Sequence, residues 1–483
     1  MPALALLQEA AHAAGVDGPL SARTLVSQAS YLAASIFFVL GLKSLTRADS
    51  ARRGMQQAAV GMMLAIVGTL IDQRILEYQW ILAGLAVGTL IGWPLGTRVP
   101  MTAMPQRVAI SHMFGALAAT LVGVAEYHSH MLSGDTIARP IMAALGFEVL
   151  FGALTVTGSF VAFGKLQELK WVPGRPVTYR GQNFVNALVF ASAVAMFLYL
   201  IWRPDAQTVF YAMVAVALVI GASLVLPIGG GDMPVVISLL NSYAGLAASA
   251  TGFAIDNSLL IIAGALDGAS GFILSIIMSK AMNRSFANVL FGAFGAPVAQ
   301  TGTAIQGEMK EISVEDAAMQ LAYAQRVIVV PGYGLAVAQA QQVVRELAHE
   351  VERRGGEVKY AIHPVAGRMP GHMNVLLAEA NIAYEKLQEM EEINPDFPTT
   401  DVAVVIGAND VVNPAARKDK SSPIYGMPIL DVDRAKSIFV LKRGKGKGFA
   451  GIENELFFDD KTRMLYGDAK ATLSRLVSEM KQV

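Results

Sequence analysis

Nine stretches of mostly apolar residues precede residue 285. Each is close to the length of about 20 residues that a helix needs to cross a bilayer. They run roughly over 24–44, 55–71, 80–97, 107–127, 138–163, 182–201, 206–226, 233–255 and 258–279. Hydrocarbon offers no partner to a backbone N–H or C=O, so segments of this kind are restricted to helices. The composition agrees: 54% of the chain is apolar and only 16% charged, well below the charged share of a soluble domain.

Short connections join these segments, and their basic residues are unevenly shared. One set holds Lys43, Arg47, Arg52, Arg53, Arg98, Arg107, Lys165, Lys170, Arg175, Arg180, Lys280 and Arg284; the other holds only Arg23, Arg74, Arg139 and Arg203. The positive-inside rule then puts the C-terminus in the cytosol and the N-terminus outside. Small-xxx-small spacings, as in Gly84 to Gly88 and Gly264 to Gly268, predict close helix contacts. With 38 basic and 38 acidic residues, no net charge points to nucleic acid. The absence of cysteine excludes disulfides, thiolate catalysis and cysteine-held metals. Residues 1–23 lack the basic start of a signal peptide and read as a short extra lead.

The membrane domain is thus expected over 24–284, a Gly/Ala/Thr-rich linker over 285–313 and a soluble domain over 314–483. In the last, strand-like runs at 326–330, 357–362, 402–406, 428–431, 438–442 and 463–466 alternate with helical patterns at about 335–354, 372–392 and 468–481. This alternation predicts an α/β, Rossmann-like fold with a parallel sheet.

The first of these strands runs into Gly332-Tyr333-Gly334-Leu335-Ala336-Val337. Two glycines at this spacing allow a tight turn and the approach of a pyrophosphate, with a helix N-terminus beyond it. Val337 stands where the usual fingerprint has a third glycine. The second strand ends in His363-Pro364, without an acid for a ribose 2′-hydroxyl. A third strand ends in Gly407, Asn409 and Asp410. A later one ends in Lys442, Arg443, Gly444, Lys445 and Lys447, a basic cluster suited to an extra phosphate, as on NADP.

Together with "HPVAGRMPGHMNVLLAEA", "GANDVVNPAA", "GMPILDV", "LKRGKGKGFAG", "GGGDMPVVISLLNSYAGLA" and "IIMSKAMNRS", these motifs resemble the beta subunit of the proton-translocating NAD(P) transhydrogenases. The Gly-x-Gly-x-x-Val turn is that family's own pattern. The resemblance implies an inner-membrane translocase of the Si-specific/Re-specific class, with NADP(H) bound here in reversed orientation. An alpha subunit would bind NAD(H), two alpha–beta units would pair, and hydride transfer would be coupled to proton movement. By position, Gly332, Tyr333, Gly334, Ala336 and Val337 would form the fingerprint. His363, Arg368, Gly407, Asn409 and Asp410 would lie at the cofactor, and Lys442, Arg443 and Gly444 at the 2′-phosphate. Residues 411–427 would form a lid. Family members commonly have Ser at Gly444 and Tyr at Phe449.

Hydride transfer between nicotinamides needs positioning and water exclusion more than an acid or base, so no general acid or nucleophile is assigned. Intramembrane ionisable groups are costly and usually functional. His112, Asn241 and Asp232 in one half of the membrane, Glu148 and Asp267 near its middle, and Glu126 near the outer end are therefore the candidate proton path. An alternative reading is a channel or transporter gated by a nucleotide-sensing domain.

Overall fold

The computed structural model describes residues 22–45, 50–71, 78–282 and 307–483, except 175, 230, 231, 370, 421, 423, 445, 447, 449 and 450. The start of the lead, most of the linker, and Arg47, Arg74, Arg175, Arg284, Lys445, Lys447 and Phe449 lie outside the described residues. Among the described residues, nine helices are long and apolar enough to cross a membrane. They are α1 (Ala22–Leu45), α2 (Ala51–Ile71), α3 (Tyr78–Thr97), α4 (Met104–Ser133), α5 (Arg139–Leu166), α6 (Gln182–Trp202), α7 (Gln207–Val225), α8 (Met233–Ala254) and α9 (Ser258–Ala281).

The chain divides into two compact units, one of residues 1–98 with 248–266 and one of 99–247 with 267–483. In the first, α1 and α2 pack backbone to backbone: a Cβ on Gly54 would meet the Gly41 carbonyl at 2.8 Å. Tyr31 adds a hydrogen bond to Thr69 at 3.1 Å. α3 buries none of its residues, and Gly84 and Gly88 meet nothing within 4 Å, so their expected close contact is not formed among the described residues. The second expected contact is made: a Cβ on Gly268 would press on Leu246 at 3.1 Å.

In the second unit α5 and α8 are the most buried of the apolar helices. Gly123 of α4 lies against Glu148 of α5, and Gly152 of α5 lies against Thr120 of α4. The two antiparallel helices thus share one register, and its continuation sets His112 level with Ser159.

The C-terminal part holds a six-stranded, all-parallel sheet in the order β3-β2-β1-β4-β5-β6. The strands are β1 (Arg326–Pro331), β2 (Glu357–Ile362), β3 (Leu387–Glu389), β4 (Val402–Ile406), β5 (Ser437–Lys442) and β6 (Thr462–Tyr466). Residues alternate between two cores. Val327, Val329, Tyr360 and Phe439 face one; Ile328, Val330, Val405 and Val440 face the other. Burial on both sides is why these strands read as continuous apolar runs.

The helices of five or more residues in this part are α10 (Val314–Ala322), α11 (Tyr333–Val337), α12 (Gln341–Arg353), α13 (His372–Glu379) and α14 (Ala469–Met480). Three expectations are corrected. The pattern at 335–354 is two helices, broken where Gln339 takes a φ of 49°. The pattern at 372–392 breaks after α13: the chain forms the edge strand β3 and then a single helical turn from Met390 to Ile393. Residues 428–431 form no strand: Ile429 and Leu430 are buried, but Leu430 N donates to Val411 O outside the ladder.

Phe439 is fully buried mid-sheet. Phe439→Ala should cost about 3–5 kcal/mol, lowering the thermal midpoint of a domain this size by roughly 6–20 °C. An unchanged midpoint in scanning fluorimetry would show that this core does not set stability.

Candidate functional site

The chain order reverses between β1 and β4, the position where open α/β sheets form their ligand crevice. Two strand-end turns interlock there. A Cβ on Gly332 would meet the Gly407 carbonyl at 2.3 Å, and one on Gly334 would meet Gly407 Cα at 2.7 Å. Gly407 itself has a φ of 66°, in the region that favours glycine. The Gly334 amide donates to the Gly407 carbonyl at 3.0 Å, so it is engaged within the protein. α11 has only five residues, which makes its end a weaker dipole site than the sequence pattern implied. Ala336 is buried and Val337 is 45% exposed, so valine replaces the third glycine without crowding the turn.

After β2, two buried histidines shape the loop. Val365 N donates to His363 Nδ1 at 3.2 Å, and His363 Nε2 donates to the Pro428 carbonyl at 2.8 Å. Both nitrogens are thereby committed to backbone, and His363 ties the β2 end to residues 427–430. Arg368 N donates to His372 Nδ1 at 3.0 Å, while the buried Nε2 has no partner among the described residues. Burial pushes His363 and His372 down to about 4, with Arg368 adding to the shift at His372. The Arg368 guanidinium lies 4.2 Å from the Tyr333 ring centre.

Beyond β4 and β5 the remaining residues converge. Asn454 Nδ2 donates to the Asn409 carbonyl at 2.9 Å, and Asn413 Nδ2 donates to the Glu453 carbonyl at 3.0 Å. These two buried asparagines were not singled out in the sequence; their place in "DVVNPAA" and "GIENELF" gave the only signal. A Cβ on Gly448 would meet Asp410 Oδ1 at 2.4 Å, so the basic loop returns onto the Asn409-Asp410 turn. Lys442 is half-buried, donates to the Gly446 carbonyl and lies 4.6 Å from the Phe457 ring centre. Burial lowers its pKa, against the attraction of Asp410. Arg443 is exposed, and open space surrounds Gly444. In the expected lid, Val411, Val412, Ala416, Ile424 and Met427 are buried in the second core.

Of the membrane candidates, the structure brings Asn241 and Asp267 into hydrogen bond, with Nδ2 donating to Oδ1 at 3.2 Å. Glu148 is fully buried. The Gly123 position it faces is eleven residues, about 16 Å, along α4 from His112. Glu126 pairs with His130 at 3.4 Å within α4. Asp232 immediately precedes α8. Ser159, missed in the sequence, shares the level of His112; its Oγ and His112 Nδ1 are both buried without partners among the described residues. Only the helix register could have revealed it.

Both loop histidines have folded pKa values below the unfolded value, so the unfolded chain binds more protons between the two. Their contribution is present above about pH 6.5 and is lost as pH falls toward 4, on the order of 2–3 kcal/mol for each. Urea unfolding at pH 7 and pH 5 checks this, with a flatter dependence expected in His363→Gln/His372→Gln. An unaltered slope in the double variant would assign acid lability elsewhere.

The family model described as NAD(P) transhydrogenase beta subunit matches residues 27–479. Two curated relatives, both the NAD(P) transhydrogenase subunit beta of Rhodospirillum rubrum, are 48% identical over 464 residues, covering 94% of this chain and 99% of theirs. Among the described residues, nine apolar helices followed by an all-parallel sheet whose order reverses between β1 and β4 fit that match. The chain belongs to the NAD(P) transhydrogenase beta subunit family.

Proposed function

We propose that the crevice between β1 and β4 binds NADP(H), that an alpha subunit presents NAD(H) to it, and that the membrane helices conduct the accompanying proton. The carrying observation is the interlocked Gly332, Gly334 and Gly407 turns with Lys442 and Arg443 closing the neighbouring strand, on a chain with nine membrane-length apolar helices among the described residues. The residues fit a phosphorylated dinucleotide. No carboxylate ends β2 to take a ribose 2′-hydroxyl. Exposed Arg443 can meet two phosphate oxygens at once. Bound nicotinamide supplies the hydride chemistry itself; this chain's residues position it, and the buried Val411, Val412, Ala416, Ile424 and Met427 exclude water on one side.

For the proton, we assign His112 and Ser159 to one level of the α4/α5 pair, with Glu148 about 16 Å further along. Glu126 marks the outer end and Asp232 the other mouth. The Asn241 amide can donate to the Asp267 carboxylate or, turned over, accept from its protonated form, so the pair can hold and release a proton. The C-terminal domain then faces the cytosol of an inner membrane, with two alpha–beta units paired. Reconstitution with an alpha subunit in sealed vesicles tests the whole reading. Each 100 mV on one moved charge supplies about 2.3 kcal/mol, roughly a fiftyfold change in product ratio. Identical rates with and without an uncoupler would refute coupling.

Two substitutions separate the parts. Arg443→Ala should weaken NADPH roughly ten- to a hundredfold through lost charge-assisted bonds, while NADH remains a weak ligand. Gly444→Ser, entering open space, should leave NADPH affinity equal or slightly higher. Equal losses for NADPH and NADH in Arg443→Ala would move the phosphate site elsewhere. His112→Ala should block proton passage while NADPH still binds, and Asn241→Ala should act less severely. Undiminished pumping in His112→Ala would reduce that residue to packing.

A further inference from the structure

The end of α5 carries an unusual residue. Leu169 N donates to the Gly164 carbonyl and Glu168 N to the Lys165 carbonyl, closing the last turn. Glu168 takes a φ of 56°, the helix-terminating left-handed position where glycine is the usual occupant. Its carboxylate accepts from Arg368 NH2 at 3.2 Å. Arg368 NH1 donates to the Leu166 carbonyl at 3.1 Å. That same carbonyl accepts from Gln106 Nε2 of α4, also at 3.1 Å. One guanidinium therefore touches the terminus of α5, the carbonyl that joins α5 to α4, and the Tyr333 ring of the dinucleotide turn. Its Nε is buried without a hydrogen-bond partner among the described residues.

Stability does not account for this arrangement. Glu168 is 71% exposed against 11% for Arg368, and an ion pair whose carboxylate stays in water contributes little. A non-glycine residue in the left-handed region is a cost, and such outliers concentrate where a site demands them. The position has a functional setting instead. Gln106 lies six residues before His112 on α4, and Ser159 lies seven residues before Leu166 on α5. A helix C-terminus attracts a cation, and so does a phosphate in the crevice. The two compete for one side chain with a donor to spare.

We propose that Arg368 is a positioning residue that links occupancy of the crevice to the ends of α4 and α5. It divides its donors between the Leu166–Glu168 terminus and an anionic group of the bound dinucleotide, so that binding shifts how firmly the helix end is held. This rests on the reading that the crevice binds NADP(H).

The test uses the alpha–beta complex in vesicles. The chain contains no cysteine, so Gln167→Cys, at an exposed position, introduces a single thiol into this subunit at the helix end. Saturating NADPH should change its maleimide labelling rate by roughly fivefold or more, in the range of ordinary allosteric couplings. Adding Arg368→Lys should abolish that change and lower the protons moved per hydride, with NADPH still saturating. Glu168→Gly should keep or raise the thermal midpoint, because glycine relieves the backbone, yet reduce the labelling change. Measured NADPH binding without any labelling change in the Gln167→Cys protein would overturn the link and leave the site assignment standing. No NADPH binding at all would overturn both. An undiminished labelling change and proton ratio in the Arg368→Lys variant would remove Arg368 from the path.

Discussion

The demand that every backbone polar group find a partner within the chain governs this protein from one end to the other. In hydrocarbon it allows only helices for these spans, and their apolar surfaces give little drive for helices to associate. Contact then depends on small residues: Gly41 with Gly54, Gly123 under Glu148, Gly152 under Thr120, and Gly245 against Gly268. These approaches do more than pack. Gly123 makes room for the fully buried Glu148 carboxyl, and the crossing at Gly268 brings Asn241 to Asp267.

The same demand acts in the C-terminal sheet at the reversal between β1 and β4. The Gly332 and Gly334 amides donate to the carbonyls of Ile406 and Gly407. The two strand ends are thereby locked backbone to backbone, with no side chain between them. What approaches the crevice comes from the next layer: Arg368 over Tyr333, Asp410 beside the returning loop at Gly448, and Lys442 over Phe457. Buried asparagines and His363 hold these segments through backbone carbonyls, in a chain with no cysteine to form a disulfide.

Legibility followed the range of the interaction. The nine spans and five of the six strands could be read because each is fixed by local composition over its own length. The edge strand β3 was lost within a helical pattern, and 428–431 passed for a strand, because a buried apolar run looks the same whether its backbone bonds to a neighbouring strand or to a turn such as Val411. The break at Gln339 was invisible for a similar reason: the apolar spacing continues across it while the backbone does not.

By itself the sequence determined the membrane part, the parallel sheet and the residue types at each strand end, since periodicity, length and glycine placement are local properties. Tertiary structure alone decided which polar groups meet. Asn241 reaches Asp267 across twenty-six residues of chain, and Ser159 joins the level of His112 only through the α4/α5 register. Arg368, read from its motif as a cofactor residue, also grips the end of a membrane helix about two hundred residues earlier. Such pairings depend on helix rotation and on the path of the chain between elements, and neither leaves a mark in the spacing of residues along a single segment.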